Sequence, residues 1–293
     1  MSVRDEVLVG PAALRGLLDS ARPVVLLDVR WALGRTDGHE QYVAGHVPGA
    51  VYVDLDTELA SPPSAAEGRH PLPALDDLEA SARRWGVSED VTVVVYDDAG
   101  GMSAARAWWL LRWAGVEDVR LLDGGLAAWT ASGGGLEAGE RIPEPGTIVL
   151  RSGQMPVTDA DGTGALAADR SAGIVLDARA GERFRGEVEP VDPRAGHVPG
   201  AVSAPTAENL GPDGRFLDDA ALRARFEGLG VDVGAWQPGD PRPNLPVVVY
   251  CGSGVTAAHQ AAALASVGVT ATLFPGSWSQ WSNDPDREVA TGA

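Results

Sequence analysis

This sequence predicts an α/β fold in two similar domains, each a mainly parallel sheet flanked by helices on both faces, and three observations point that way. The 293 residues, 44% apolar and 22% charged, have ordinary globular composition but exceed what one hydrophobic core usually organises. Residues 44–51 read AGHVPGAV, and residues 195–202 repeat the same eight letters in a chain with five histidines. In both halves, short β-branched runs alternate with Ala/Leu/Arg-rich stretches of helical period, the pattern of βαβ units on a sheet covered on both sides.

The repeat reaches well beyond the octapeptide. LLDVR (26–30) matches VLDAR (175–179), VVVY (93–96) matches VVVY (247–250), and DGGLAAW (123–129) corresponds to PGSWSQW (275–281), at offsets between 149 and 154. A unit of that size is a domain rather than a solenoid repeat. Along the first copy, residues 23–27, 91–96 and 119–122 predict strands. Segments 104–114 (AARAWWLLRWA) and 256–267 (TAAHQAAALASV) each follow a VVVY strand directly and predict amphipathic helices. The Pro-, Gly- and polar-rich stretch 141–163 predicts a linker, which leaves one domain over 1–140 and another over 164–293. Asp159, Asp161 and the glycines after them lack the acidic spacing of a calcium loop.

Charge and composition narrow the function classes. A formal charge of -18 and a pI near 4.5 offer no long-range attraction to nucleic acid or anionic lipid, because phosphate binding is chiefly Lys/Arg neutralisation. The N-terminus lacks a basic start followed by an apolar run, and no window supplies roughly 18 uninterrupted apolar residues. The expectation is a soluble cytoplasmic protein with neither nucleic-acid nor membrane partners. The one cysteine, Cys251, excludes an internal disulfide framework, a Cys-x-x-Cys pair and a multi-cysteine metal site. No metal and no organic cofactor is expected.

Cys251 stands in VVVY-CGSGVTA, at the carboxyl end of a buried strand and ahead of a glycine loop and a helix, where α/β sheets place ligands. Gly252 and Gly254 allow backbone conformations that turn successive amides inward around one point. The helix N-terminus adds partial positive charge. Such a loop suits an anionic sulfur, thiolate or persulfide, without any lysine or arginine of its own. The first copy carries Asp97 at the matching position, in VVVY-DDAGGMSAA, so thiol chemistry belongs to the second half.

The paired GHVPGA signatures, the duplicated halves, the acidic replacement at Asp97 and the CGSGVTA loop resemble the tandem-domain rhodaneses over nearly the whole chain. More narrowly, the run Cys251, Gly252, Ser253, Gly254, Val255, Thr256 is similar to the active loop of 3-mercaptopyruvate sulfurtransferases. Thiosulfate sulfurtransferases carry basic residues just after the cysteine, where this chain has Gly252 and Ser253. The resemblance implies a persulfide on Cys251, a loop that binds substrate through Gly252, Gly254, Val255 and Thr256, and a Ser-His-Asp set made of Ser253, His70 in GRHPLP and Asp56 in YVDLD. His70 and Asp56 come from the first half, which would put the site at the domain interface. Their other readings are a surface-loop histidine and a helix-cap or turn carboxylate.

A keto-acid donor with a carboxylate calls for a guanidinium nearby. Arg183, in GERFRGE, matches the family's first substrate arginine. The second follows a Glu-Pro pair in the family; here Glu189-Pro190 leads to Val191, and Arg194 is carried as its replacement, with a solvated loop arginine as the other reading. His46 and His197 occur in both copies, which favours a structural task. His259 reads as a solvated or packed helix position, most tryptophans as core, and Trp278 as a residue at the pocket mouth.

The activity implied is transfer of sulfur from 3-mercaptopyruvate to a thiol acceptor such as thioredoxin or a low-molecular-weight thiol, or to cyanide in an assay, with release of pyruvate. A thiosulfate:cyanide sulfurtransferase is the alternative on the same scaffold. Cysteine phosphatases need an arginine six residues after the cysteine, where this chain has Ala257. A non-catalytic rhodanese scaffold is the remaining alternative, and retention of Cys251 argues against it.

Overall fold

Strands β1 (Leu8–Val9), β2 (Val24–Asp28), β3 (Val51–Tyr52), β4 (Thr92–Tyr96) and β5 (Val119–Leu122) form one all-parallel sheet in the order β1-β5-β4-β2-β3. A second parallel sheet runs β7-β6-β8-β9, from β6 (Ile174–Asp177), β7 (Val202–Ser203), β8 (Val247–Tyr250) and β9 (Thr272–Leu273). The computed structural model describes residues 2–234 and 245–293. Helices follow the strands, as parallel crossovers require. No helix among the described residues is long and apolar enough to cross a membrane.

Contacts divide the chain into two units that do not follow chain order. Met1–Ser61, Leu72–Met155 and Leu210–Phe216 make one; Pro62–Pro71, Pro156–Asn209 and Leu217–Ala293 make the other. The stretch expected to be a linker over 141–163 is coil up to Asp159, with Ile148 and Leu150 buried, and then enters the helix Ala160–Ala168. Asp159 caps that helix by accepting the Gly162 amide at 2.8 Å, a use of the acidic residue that needs no ion.

The repeated motifs do the same structural work twice. Arg30 reaches the Asp28 carboxylate at the end of β2 and donates to the Gly45 carbonyl at 2.7 Å. Arg179 does the same with Asp177 and with Gly196 at 2.6 Å, and both ion pairs are buried. The tyrosine ending each VVVY strand accepts the amide of the signature valine, Val47 to Tyr96 at 3.0 Å and Val198 to Tyr250 at 3.1 Å. LLDVR, VVVY and AGHVPGAV thus form one interlocked unit in each sheet. The cores behind them correspond as well: Val47, Val94, Tyr96 and Trp129 in the first, Val198, Val248, Tyr250 and Trp281 in the second.

The helices after the VVVY strands depart from the amphipathic expectation. In Ala104–Trp113 every residue from Ala104 to Leu111 is buried, and in Val255–Ser266 all but Thr256 and Ala265 are. A helix buried nearly all round is a central one, and these two bury polar side chains as well, Arg106 in the first and His259 and Gln260 in the second.

Candidate active site

β8 ends at Tyr250 and delivers Cys251 to the carboxyl edge of the second sheet. The thiol is 2% exposed, and its Sγ accepts the Gly254 amide at 3.2 Å. Gly254 has φ +78°, and a Cβ there would lie 2.5 Å from the Pro275 carbonyl oxygen, so only glycine fits the bend. The loop is fastened from below by the turn after β9. The Trp278 amide donates to the Cys251 carbonyl at 2.9 Å, and the Ser279 amide to that of Gly252 at 2.8 Å. The Cys251 amide donates to the Ser277 hydroxyl at 3.1 Å, which in turn donates to the Phe274 carbonyl.

Ser277 sits at φ +53°, a left-handed conformation that the first copy fills with Gly125 at φ +56°. Such a non-glycine residue costs on the order of 1 kcal/mol or more. Its hydroxyl offsets this by holding the Cys251 amide.

Ser253 is buried, and its hydroxyl lies 2.7 Å from His70 Nδ1. His70 falls in the first sequence repeat, yet the segment Pro62–Pro71 packs with the second unit. A Cβ on Gly68 would lie 2.6 Å from the Gly276 carbonyl oxygen, the Arg69 amide donates to Ser279 Oγ at 3.0 Å, and Gln280 Nε2 donates to the Ala66 carbonyl at 2.6 Å. Cys251, Ser253 and His70 therefore belong to one unit. Asp56 belongs to the other, where its Oδ2 accepts from Trp31 Nε1 at 3.0 Å; the helix cap there is its neighbour Asp54. Val255 and Thr256 open the helix behind the loop, Val255 buried and Thr256 half-buried.

Arg183, on the short turn Gly181–Phe184, reaches the loop: a Cβ on Gly252 would lie 3.4 Å from its Nη1. Its guanidinium donates to Glu189 at 2.6 Å and to Asp192 at 3.2 Å. Burial opposes the charge on Glu189, but the Arg183 donors and the amides of Asp192 and Val191 outweigh it and hold that carboxyl below its ordinary range. Asp192 goes the other way, its carboxyl pushed up chiefly by burial although Arg69 and Arg183 favour the charge.

Arg194, carried as a replacement for the second substrate arginine, has its guanidinium engaged elsewhere. Its guanidinium donates to the backbone carbonyls of Ser282 (2.8 Å), Arg287 (2.8 Å), Trp281 (2.9 Å) and Asp284, and so ties down the segment after the last helix. Trp278 is not at a pocket mouth either: it is wholly buried, Arg179 stands 4.5 Å over its ring, and its Nε1 donates to the Arg194 carbonyl. His46 and His197 direct Nδ1 to the Tyr42 and Phe184 carbonyls, and His259 bonds the Thr206 hydroxyl inside the fold. Sequence reasoning missed Arg69, whose Nη2 comes within 2.9 Å of a Cβ on Gly252 and whose Nη1 bonds Asp192. Its adjacency to His70 was the available signal.

The first copy shows what this loop architecture holds. The Asp97 carboxylate receives the amides of Ala99, Gly101, Ser103 and Ala104 at 2.8 to 2.9 Å. An anion collects inward-turned amides in one unit, and a sulfur receives one in the other.

Comparison with known proteins gives consistent findings. The profile of the rhodanese-like domain matches residues 10–132 and 163–284. The chain is 47% identical over 298 residues to SseB of Mycobacterium tuberculosis, named for thiosulfate sulfurtransferase activity, with 100% of this chain and 99% of that protein covered. It is 45% identical over 273 residues to a Pseudomonas aeruginosa protein named for 3-mercaptopyruvate sulfurtransferase activity, covering 92% and 93%. The crystal structure of SseA, a 3-mercaptopyruvate sulfotransferase of Escherichia coli, superposes with a TM-score of 0.78 at 32% identity, over 92% of this chain and 98% of that one.

Proposed function

The chain belongs to the rhodanese-like domain family and is a sulfurtransferase, and from that premise we propose that Cys251 takes its sulfur from 3-mercaptopyruvate and hands it to a thiol. The thiolate attacks the donor sulfur, and a sulfur–sulfur bond forms as the carbon–sulfur bond breaks. The electron pair leaves on carbon as the pyruvate enolate. The proton of the donor thiol ends on that carbon, giving pyruvate and a Cys251 persulfide anion. Ser253, hydrogen-bonded to His70, is the proton carrier in this reading. Asp56 enters it on the family pattern alone, as the carboxylate that orients His70. The Gly254 amide and the helix start behind Val255 and Thr256 favour the persulfide charge. An acceptor thiol, thioredoxin or a small molecule, then removes the outer sulfur, which gives ping-pong kinetics. A cytoplasmic setting suits a lone, unpaired cysteine.

The observation that carries the donor assignment is the charge balance beside Gly252. The loop has no cation of its own, and the two guanidinium groups that reach it, Arg69 and Arg183, already face the carboxylates of Asp192 and Glu189. Such a site suits a monocarboxylate better than dianionic thiosulfate. The name of the M. tuberculosis relative favours the second reading, thiosulfate as donor on the same persulfide. Steady-state transfer from the two donors, side by side and with Cys251→Ser as the blank, decides between them. A tenfold or greater preference for mercaptopyruvate, about 1.4 kcal/mol of transition-state discrimination, is expected; a preference for thiosulfate would overturn the assignment.

A further inference from the structure

We propose that the second copy of the AGHVPGAV signature carries an open binding site for a small carboxylate with an apolar body, formed by the Gly200 amide, the His197 imidazole, Arg170 and Arg185. The inference lies outside the sulfur-transfer reading and stands whichever donor Cys251 uses.

The two copies of the signature differ in what covers them. In the first, His46 forms an antiparallel bridge with Glu137, each amide donating to the other's carbonyl at 2.9 Å. The Glu137 side chain then turns onto the signature: its Oε2 accepts the Gly49 amide at 2.7 Å and lies 3.9 Å from His46 Nε2. In the second copy His197 makes the same bridge with Ala290, at 2.8 and 3.0 Å. Gly49 and Gly200 share a left-handed conformation, φ +82° and +86°, so the two amides are presented alike. An alanine has no carboxylate to bring to the second. Among the described residues the Gly200 amide accordingly finds no acceptor, and His197, whose Nδ1 is bonded to the Phe184 carbonyl, has no partner for Nε2.

A cavity of about 510 Å³ opens beside these two groups. His197 and Gly200 line it, Phe184 and Val202 give it an apolar wall, and Arg170 and Arg185 supply cations. In a chain with 41 acidic residues and 23 basic ones, no Asp or Glu is among the described residues that line this cavity. Arg170 is exposed and makes no ion pair among the described residues. Arg185 pairs with Glu187, but both partners are exposed, and such pairs are weak enough to be exchanged. A ligand carboxylate can thus accept the Gly200 amide as Glu137 accepts that of Gly49, with the guanidinium groups adding charge-assisted bonds. The apolar wall selects the rest of the ligand, a ring or short hydrocarbon that covers Phe184 and Val202, and the volume is ordinary for a small-molecule site. The occupant rests against Phe184, which stacks on His197 and directly follows Arg183.

The test titrates the full-length protein, carrying isotope-labelled histidine, with benzoate and with neutral benzamide, which differ in charge and hardly in size. The signal is the ring Cε1–H resonance of His197, assigned by its loss in His197→Gln. Benzoate is expected to shift that resonance saturably with a dissociation constant of roughly millimolar or tighter, and benzamide to bind about tenfold more weakly or worse. Ala290→Glu gives the second copy the internal carboxylate of the first and is expected to abolish the saturable shift. Arg170→Gln is expected to weaken benzoate by about fivefold or more. Sulfur transfer within about twofold of wild type checks that both variants are folded. Should Ala290→Glu fail to fold, the double variant Arg170→Gln, Arg185→Gln carries the same expectation. The absence of a saturable shift in wild type, equal binding of benzamide, or undiminished benzoate binding in folded Ala290→Glu would each overturn the proposal. Benzoate held at Arg183 instead would survive Ala290→Glu, which separates this site from the donor site.

Discussion

His70 Nδ1 and the Ser253 hydroxyl lie 2.7 Å apart, both buried, and this bond links a loop of the first sequence repeat to the residue two beyond Cys251. A proton carrier built this way works as a unit, so its parts should not contribute separately. Ser253→Ala and His70→Asn are each expected to lower kcat/KM for the preferred donor by about a hundredfold, and the double variant by little more than either alone. The pH profile of kcat/KM separates this from a packing role, because both variants should lose the same limb. Losses that multiply in the double variant would mean that the two side chains act independently.

Asp97 answers the question of why the first copy does no thiol chemistry. Its carboxylate is wholly buried and fills its own loop with four amide bonds, although burial pushes its pKa up. Asp97→Ala strands those amides and should destabilise the protein by roughly 3 kcal/mol, read as a lower denaturation midpoint. At a temperature where the variant is folded, sulfur transfer per molecule should match wild type. A large loss of transfer in folded protein would show that the first loop contributes to the reaction.

Much of the fold was legible because the chain states it twice. A strand end, an arginine and a glycine signature recur in one order in the letters alone, and Cys251 stands out against Asp97. Ser253 and His70 came from motif resemblance and meet in the structure. What resisted reading was the fate of long cationic side chains. Arg194 is near the right place in sequence, but a guanidinium goes where acceptors are, and the turn from Trp281 to Arg287 offers four carbonyls. Arg69 lies about 180 positions before the loop it covers, and the bonds of Ala66, Arg69 and His70 to Gln280, Ser279 and Ser253, with the close Gly68–Gly276 approach, bring it there. Helical period likewise overstated the amphipathicity of Ala104–Trp113, since alanine scores as apolar on every face.

Arg194→Met follows from that correction. Removing a guanidinium that satisfies four carbonyls should cost about 3 kcal/mol of stability. The Michaelis constant for the donor should stay within about threefold of wild type. Thermal melting and donor titration on the same preparation give both numbers. A tenfold rise in the Michaelis constant without loss of stability would return Arg194 to the substrate site.

His197 gives the second unit a pH dependence whose sign can be worked out. Its ring is stacked on Phe184 with centroids 3.6 Å apart, and its Nδ1 lies 2.8 Å from the Phe184 carbonyl, one residue beyond Arg183. Burial is the main influence and lowers its pKa below the ordinary 6.5; the Phe184 carbonyl and Asp177 favour the charged form, and Arg179 opposes it. As pH falls through 6.5 the unfolded chain takes up a proton that the folded protein still resists. Stability from this group is therefore complete above that pH, declines as the solution is acidified, and levels off below the folded-state value. The melting temperature of wild type should drop between pH 7.5 and 5.5 by more than that of His197→Gln, whose amide can still donate to Phe184 but does not titrate. Equal drops in the two proteins would locate the acid sensitivity in other groups.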